Sequence, residues 1–124
     1  MNIETIKKEL SNTFEVDEMN GKFIIHTPFY CACQDDENIS VCIVPRENDF
    51  YITDMCQTYE KLEESGIIID DKRNVQMLVQ ILQHSLVSFD EETKELYVET
   101  RSGALFSSIY RLIQTIIVAG AMNI

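Results

Sequence analysis

The centre of the predicted sheet is residues 39–53, ISVCIVPRENDFYIT. Apolar side chains alternate along Ile39–Val44, and a second short strand pattern follows over Phe50–Thr53. The residues between them, Pro45 to Asp49, are typical of a turn. This segment therefore predicts two strands joined by a short connection.

The chain before this segment predicts a helix followed by a tight hairpin. Residues 3–13 carry apolar side chains at helical spacing after a capping Asn2. The dipeptide Asn20-Gly21 lies between Glu15–Met19 and Lys22–Pro28, and it is a strong signal for a two-residue hairpin turn. With the two strands above, this hairpin predicts a four-stranded antiparallel meander.

The chain after Thr53 changes to a helical period. One helix is predicted from Thr53 or Asp54 to about Ser65, and another from Lys72 to Ser85. The second helix has this apolar stripe: Val75, Leu78, Val79, Leu82 and Leu86.

The C-terminal part predicts a second hairpin, Leu86–Phe89 with Leu96–Glu99, and a final helix over Ala104–Ala119. Strands and helices are segregated along the chain, which favours α+β over α/β. We therefore predict a single α+β domain over residues 1–124. It is a four-stranded antiparallel meander with helices packed on one face, plus a C-terminal β-hairpin and helix.

The composition excludes several classes of protein. The chain has 124 residues, with 21 acidic and 10 basic residues and a formal net charge of −11. So acidic a protein is not expected to bind nucleic acid or an anionic membrane directly. No run reaches the roughly 20 apolar residues of a membrane span. The N-terminus lacks the pattern of a signal peptide, so we expect a cytoplasmic protein.

Several short motifs together resemble a known family, the bacterial and phage proteins called domain of unknown function 1828. The motifs are Asn2–Leu10, Thr27-Pro28-Phe29, Ile39–Val44, Tyr51-Ile52-Thr53-Asp54, Ser65-Gly66-Ile67 and Glu95-Leu96-Tyr97-Val98. The resemblance implies a small intracellular α+β protein of phage or mobile-element type, and it implies no reaction. It also implies an acid two residues after Pro-Phe and a Thr-Asp-x-Gly turn. This chain has Cys31 and Cys56 at those positions.

The acidic residues are concentrated between positions 35 and 64, where nine acids accompany two bases. Such a surface either solubilises the protein or docks a basic partner. We expect a non-enzymatic regulatory protein that binds another protein with a basic surface, by analogy an acidic inhibitor of a nucleic-acid-handling enzyme. The predicted partner-binding residues are Asp35, Asp36, Glu37, Glu47, Asp49, Asp54, Glu60, Glu63 and Glu64.

The four cysteines offer an alternative from another class. Cys31 and Cys33 form a C-x-C pair, and a zinc or redox site becomes feasible if Cys56, with Cys42 or His26, joins them. Four free thiols and a hydrogen-bonded strand histidine are the simpler interpretation, so we expect no cofactor.

Two further questions stay open at the level of sequence. No motif of a known catalytic class is present, so we assign no catalytic residue, although a small enzyme using groups such as Asp54 and His26 is a third hypothesis. The apolar surface of the Ala104–Ala119 helix is either central to the core or shared in a homodimer.

Overall fold

The protein is described by a computed structural model that covers residues 3–30, 38–66 and 72–121. It contains four helices and six strands in these ranges. Their bounds are α1 Ile3–Thr13, β1 Glu15–Met19, β2 Lys22–Tyr30, β3 Asn38–Pro45, β4 Phe50–Thr53, α2 Gln57–Glu64, α3 Lys72–Gln83, β5 Ser88–Phe89, β6 Leu96–Thr100 and α4 Leu105–Gly120. A 3₁₀ turn, Ser102–Ala104, precedes α4.

The β-strands form one antiparallel sheet in the order β1-β2-β3-β4-β6-β5. The α+β class and the order of the first four strands are as predicted, but the sheet has six strands and not four. The C-terminal hairpin does not stand apart, because β6 pairs with β4, with Ile52 opposite Val98. This pairing gives hydrogen-bond partners to the edge that β4 would otherwise leave open.

The first hairpin owes its geometry to the Asn20-Gly21 turn. Both residues have positive φ, 52° for Asn20 and 77° for Gly21. These values are those of a type I′ turn, whose twist matches that of the flanking strands. The turn sets Met19 opposite Lys22, and the pairing continues without a break to Glu15 opposite His26.

One face of the sheet forms the core together with the helices. The apolar sheet residues of this core are Phe23, Ile25, Ile39, Val41, Ile43, Phe50, Ile52, Leu96 and Val98. Each of the four helices contributes side chains to the same cluster, including Ile6, Leu10, Leu62, Leu78, Ile109, Leu112 and Ile116. The apolar side chains that alternate along the strands therefore pack in one core with those of the helical stripes on α1 and α4.

Helix α4 is the central helix of this core. It contacts α2, α3, β3, β4 and β6. Its apolar stripe is buried within the chain, and among its large apolar side chains only Tyr110 and Val118 are exposed. Burial within one chain accounts for the stripe without a second copy.

Helix α3 buries only part of the stripe that its sequence suggested. Asn74 and Leu78 are buried, whereas Val75 is 37% exposed and Val79 is 47% exposed. The helix is therefore turned so that its inner face follows positions 74, 77, 78, 81 and 82. Leu86 lies beyond the end of the helix, which is at Gln83, and is exposed. The rotation follows from contact with α4, which the apolar period of α3 alone does not specify.

One helical stretch among the described residues, Ser102–Gly120, is long and apolar enough to span a membrane by length and composition. Half of that stretch is buried inside the protein, and the core helix of a soluble protein meets the same criteria.

Candidate functional site

The second face of the sheet carries a different set of side chains from the core face. Strand alternation places these residues on it: Ile24, His26, Ser40, Cys42, Val44, Tyr51, Thr53, Tyr97 and Glu99. Cys42 is buried and yet does not belong to the core cluster. We call this surface the open face.

A groove of about 500 Å³ lies on the open face. Its apolar lining includes Ile24 and Val44, and its polar lining includes Tyr51, Thr53 and Glu95. The β1–β2 turn and the turn after β4 also contribute residues to its lining. This volume lies in the range of protein sites that hold one small ligand or a side chain of a partner.

The carboxylate of Glu95 is held in the groove wall by two hydroxyl groups. Tyr51 donates to Oε2 of Glu95 over 3.3 Å, and the Thr53 hydroxyl donates to the same oxygen. Burial raises the pKa of the Tyr51 hydroxyl, and the negative charge of Glu95 raises it further. The phenol therefore stays protonated at neutral pH and remains a donor to the carboxylate.

Aromatic and cationic side chains continue the open face beyond Tyr51. The rings of Tyr51 and Tyr97 stack with centroids 5.2 Å apart. The Arg46 guanidinium lies 4.7 Å from the centroid of the Tyr51 ring and 3.2 Å from the carboxylate of Glu99. This face therefore already binds a guanidinium between a tyrosine ring and a carboxylate.

Asp54 lies at the end of β4 and organises the turn into α2. It accepts hydrogen bonds from the backbone N–H groups of Cys56 at 2.9 Å, Thr58 at 3.2 Å and Leu96 at 3.0 Å. Burial raises the pKa of its carboxyl, and the hydrogen bonds from Thr58, Leu96 and Cys56 oppose that rise. Asp54 is 1% exposed. The prediction that Asp54 contacts a partner is therefore wrong, because its buried carboxylate accepts hydrogen bonds from within the protein.

The turn after Asp54 has a backbone conformation that suits the glycine implied by the family resemblance. Met55 and Cys56 both have positive φ, 58° and 67°. Side chains with a Cβ seldom adopt this left-handed conformation, whereas glycine adopts it freely. Cys56 occupies the position of the glycine in the Thr-Asp-x-Gly turn, so a cysteine is held here in a conformation suited to glycine.

The other predicted partner-binding acids do not form one continuous patch in the described part of the chain. Glu47 and Asp49 lie in the β3–β4 turn, where Asp49 is 3.9 Å from Arg46. Glu60, Glu63 and Glu64 are exposed on α2, which follows the opposite end of β4. Asp35, Asp36 and Glu37 lie outside the described residues.

Two of the four cysteines line the groove, and the other two lie outside the described residues. Cys42 and Cys56 are in the groove lining, and both are free thiols. Burial raises the pKa of each thiol, which disfavours the thiolate that metals and redox partners require. Within the described ranges, no group of three or more metal-ligating side chains comes together.

His26 takes part in a chain of side chains across three strands. Its Nε2 lies 2.7 Å from Oδ2 of Asp17 on β1, and its Nδ1 lies 3.0 Å from Oγ of Ser40 on β3. The simpler interpretation of this residue, a half-buried strand histidine with hydrogen-bond partners, agrees with this geometry. His26 is not part of the groove lining.

Comparison with known families gives one match. The model of the family described as Domain of unknown function DUF1828 matches residues 27–118, about three quarters of the chain. The chain belongs to the DUF1828 family. The match confirms the resemblance, and it includes β3, β4, the Asp54 turn and most of α4. No curated protein and no solved structure matches this DUF1828 chain.

Sequence reasoning did not single out Glu95, Tyr51 or Tyr97 as site residues. Tyr51 and Thr53 alternate with core residues on β4, so their direction could be inferred from the pattern. Glu95 joins them only because β6 pairs with β4, and this DUF1828 sequence contains no local signal for that pairing.

Proposed function

We propose that this chain is a non-enzymatic intracellular protein of phage or mobile-element type that regulates another protein by binding it. The partner is expected to have a basic surface, as a nucleic-acid-handling enzyme has, and the chain acts as its acidic inhibitor. The observation that carries the proposal is the group of exposed carboxylates on α2, Glu60, Glu63 and Glu64, beside a groove with a carboxylate in its wall. The net charge of −11 supports fast, electrostatically steered binding of such a partner.

The proposed contact surface consists of α2 and the groove end of the open face. The pKa of the Cys56 thiol is raised by Glu60 and Glu95 in addition to burial, so both carboxylates act at the groove. Glu60 thus links the acids of α2 to the negative charge at the groove. The acids of the β3–β4 turn lie beyond the other end of β4 and contribute to long-range attraction.

The experiment compares two variants with equal changes in net charge. The first carries Glu60→Lys, Glu63→Lys and Glu64→Lys. The second, a matched control, carries Glu9→Lys, Glu15→Lys and Glu92→Lys, three exposed acids outside the acidic segment. A partner is identified by affinity capture from the host, purified, and titrated at low and high salt.

The proposal predicts a basic partner whose binding weakens at least tenfold with the α2 variant and with added salt, and changes much less with the control. A further variant reverses Asp35, Asp36 and Glu37, and it is expected to weaken binding as well. If both triple variants weaken binding equally, the loss of binding is caused by net charge and not by the position of the α2 acids. Binding that is insensitive to salt and to all the reversals would overturn the proposal.

A cysteine-ligated zinc or redox module is the second candidate, because Cys42 and Cys56 line the same groove. Native mass spectrometry of protein purified under reducing conditions without chelator tests it. A mass excess of one zinc ion per chain would favour this candidate over the acidic surface. A metal-free mass with four titratable thiols would exclude it.

A further inference from the structure

The groove on the open face combines apolar walls with a carboxylate that is fixed in direction. Ile24, Val44 and Met55 contribute apolar surface, and Glu95 contributes the carboxylate. Both hydroxyl donors, Tyr51 and Thr53, bind the same oxygen, Oε2. The orientation of Glu95 is therefore set by the protein, and its other oxygen, Oε1, accepts no hydrogen bond from the described residues.

The charges around the groove favour a cation. The carboxylates that act on its lining side chains are those of Asp54, Glu60, Asp90 and Glu95. The cations near them are Lys22, which also lines the groove, Lys94, and Arg46, which lies over the Tyr51 ring and pairs with Glu99. With Glu99 counted against Arg46, the acids still exceed the bases, so a positively charged group gains from entering the groove beside Glu95.

The apolar walls and the carboxylate of the groove favour a long side chain with a terminal charge. An arginine or lysine buries its methylene groups against apolar surface and keeps its charged end at a polar group. Arg46 shows the same chemistry elsewhere on this face, with its guanidinium over the Tyr51 ring and beside Glu99. A guanidinium also offers several donors to a carboxylate oxygen.

We infer that the groove binds a single arginine side chain of the partner protein, with its stem against Ile24 and Val44 and its guanidinium on Glu95. This inference deepens the proposed function, because it names the anchor through which a basic partner is recognised. The acids of α2 then attract the partner, and Glu95 fixes its position.

The experiment uses three peptides and the full-length chain labelled with ¹⁵N. The probe is acetyl-Gly-Arg-Gly-amide, and the neutral control is acetyl-Gly-citrulline-Gly-amide, which keeps the shape and lacks the charge. Acetyl-Gly-Lys-Gly-amide distinguishes a guanidinium from any cation. Chemical shifts of the Cys42, Thr53 and Cys56 amides are followed during each titration.

The expected result is saturable binding of the arginine peptide, with shifts centred on those amides and little effect of citrulline. In Glu95→Gln the amide oxygen can still accept from Tyr51 and Thr53, so the fold is retained while the charge is lost. This variant should weaken the arginine peptide about fivefold or more, which corresponds to about 1 kcal/mol. Glu92→Gln, at an exposed acid outside the groove, should have much less effect.

The inference is overturned if the peptide does not bind, if its shifts lie elsewhere, or if Glu95→Gln binds it as the parent chain does. If the lysine peptide binds equally well, the groove recognises a positive charge in general and not the guanidinium group. Both variants are also tested against the purified partner. If the α2 variant weakens binding and Glu95→Gln does not, the arginine site at Glu95 is overturned and the proposed function is retained. If neither variant weakens binding, both proposals fail.

Discussion

The carboxylate of Asp54 accepts a hydrogen bond from the backbone N–H of Leu96 at 3.0 Å, across 42 residues of sequence. The same carboxylate binds the N–H groups of Cys56 and Thr58 at the start of α2. One buried side chain thus connects the end of β4 to the start of β6. Because β6 joins the C-terminal hairpin to the sheet, Asp54 stabilises the contact between β4 and this hairpin.

Replacing Asp54 by alanine should destabilise the protein strongly. The substitution leaves three backbone N–H groups without their acceptor in a buried position, at an expected cost of about 2–4 kcal/mol in the free energy of unfolding. Urea denaturation followed by circular dichroism measures this change. Glu63→Ala, at an exposed acid on α2, is the control and should change stability by less than about 0.5 kcal/mol. Equal effects of the two substitutions would contradict the structural role.

The pH dependence of stability should also differ between the parent chain and Asp54→Asn. Burial raises the pKa of Asp54 in the folded protein above its unfolded value, so the folded state holds this proton more tightly. The contribution of Asp54 to stability is then greatest below the unfolded pKa, near 4, and decreases as the pH rises through the folded pKa. Relative to the asparagine variant, the parent chain should lose stability upwards from about pH 4. Parallel stability curves for the two proteins would show that the carboxyl is not perturbed.

Glycine at position 56 should stabilise the fold. Cys56 has φ 67°, and a non-glycine residue in that region costs about 1 kcal/mol. Cys56→Gly should therefore raise the free energy of unfolding by about 0.5–1 kcal/mol. Cys56→Ala removes the thiol and keeps the unfavourable conformation, so it separates the two effects. A glycine variant no more stable than the alanine variant would argue against the left-handed conformation.

Truncation of Leu112 tests whether α4 is a core helix of one chain. Leu112 is fully buried, and Leu112→Ala should cost about 2–5 kcal/mol. Val118 is 53% exposed on the same helix, so Val118→Ala is the control and should cost much less.

Unfolding of the parent chain should be independent of protein concentration. A midpoint that rises with concentration would indicate that a second copy contributes to the stability of this helix.

The two groove thiols should react slowly with an alkylating reagent at neutral pH. Burial raises the pKa of both Cys42 and Cys56, so little of the reactive thiolate is present in either case. Variants that retain one of the two cysteines, with serine at the other three positions, measure each rate separately. Cys42 should react more slowly than Cys56, because Cys42 is buried and Cys56 is partly exposed. In urea both rates should rise to that of a free cysteine. A fast rate in the folded state would favour the redox alternative.

Several features of the fold could be predicted because their causes are local. The Asn20-Gly21 turn, the alternation in β2 and β3 and the span of α1 each depend on residues close together in sequence. The face that α3 buries was predicted only in part. Leu78 and Leu82 pack in or against the core, whereas Val75 and Val79 are exposed and the polar Asn74 is buried. The groove was not predicted, although two of its lining residues, Cys42 and Cys56, were named as candidate cysteine ligands. Cys56 was singled out from its position in the family pattern, whereas Glu95 was not.

The sequence by itself determined the α+β class, the succession of helices and strands, the acidic charge and the membership of the DUF1828 family. These properties follow from composition and from the periods of two and 3.6 residues, which are local. Only the tertiary structure decided that β6 completes the sheet beside β4, that Asp54 is buried, and that Glu95 meets Tyr51 and Thr53 in a groove. Each of these depends on contacts between segments about 40 residues apart. Such contacts form where they bury the most apolar surface and pair the most polar groups in the whole chain, and no local stretch of sequence carries that information.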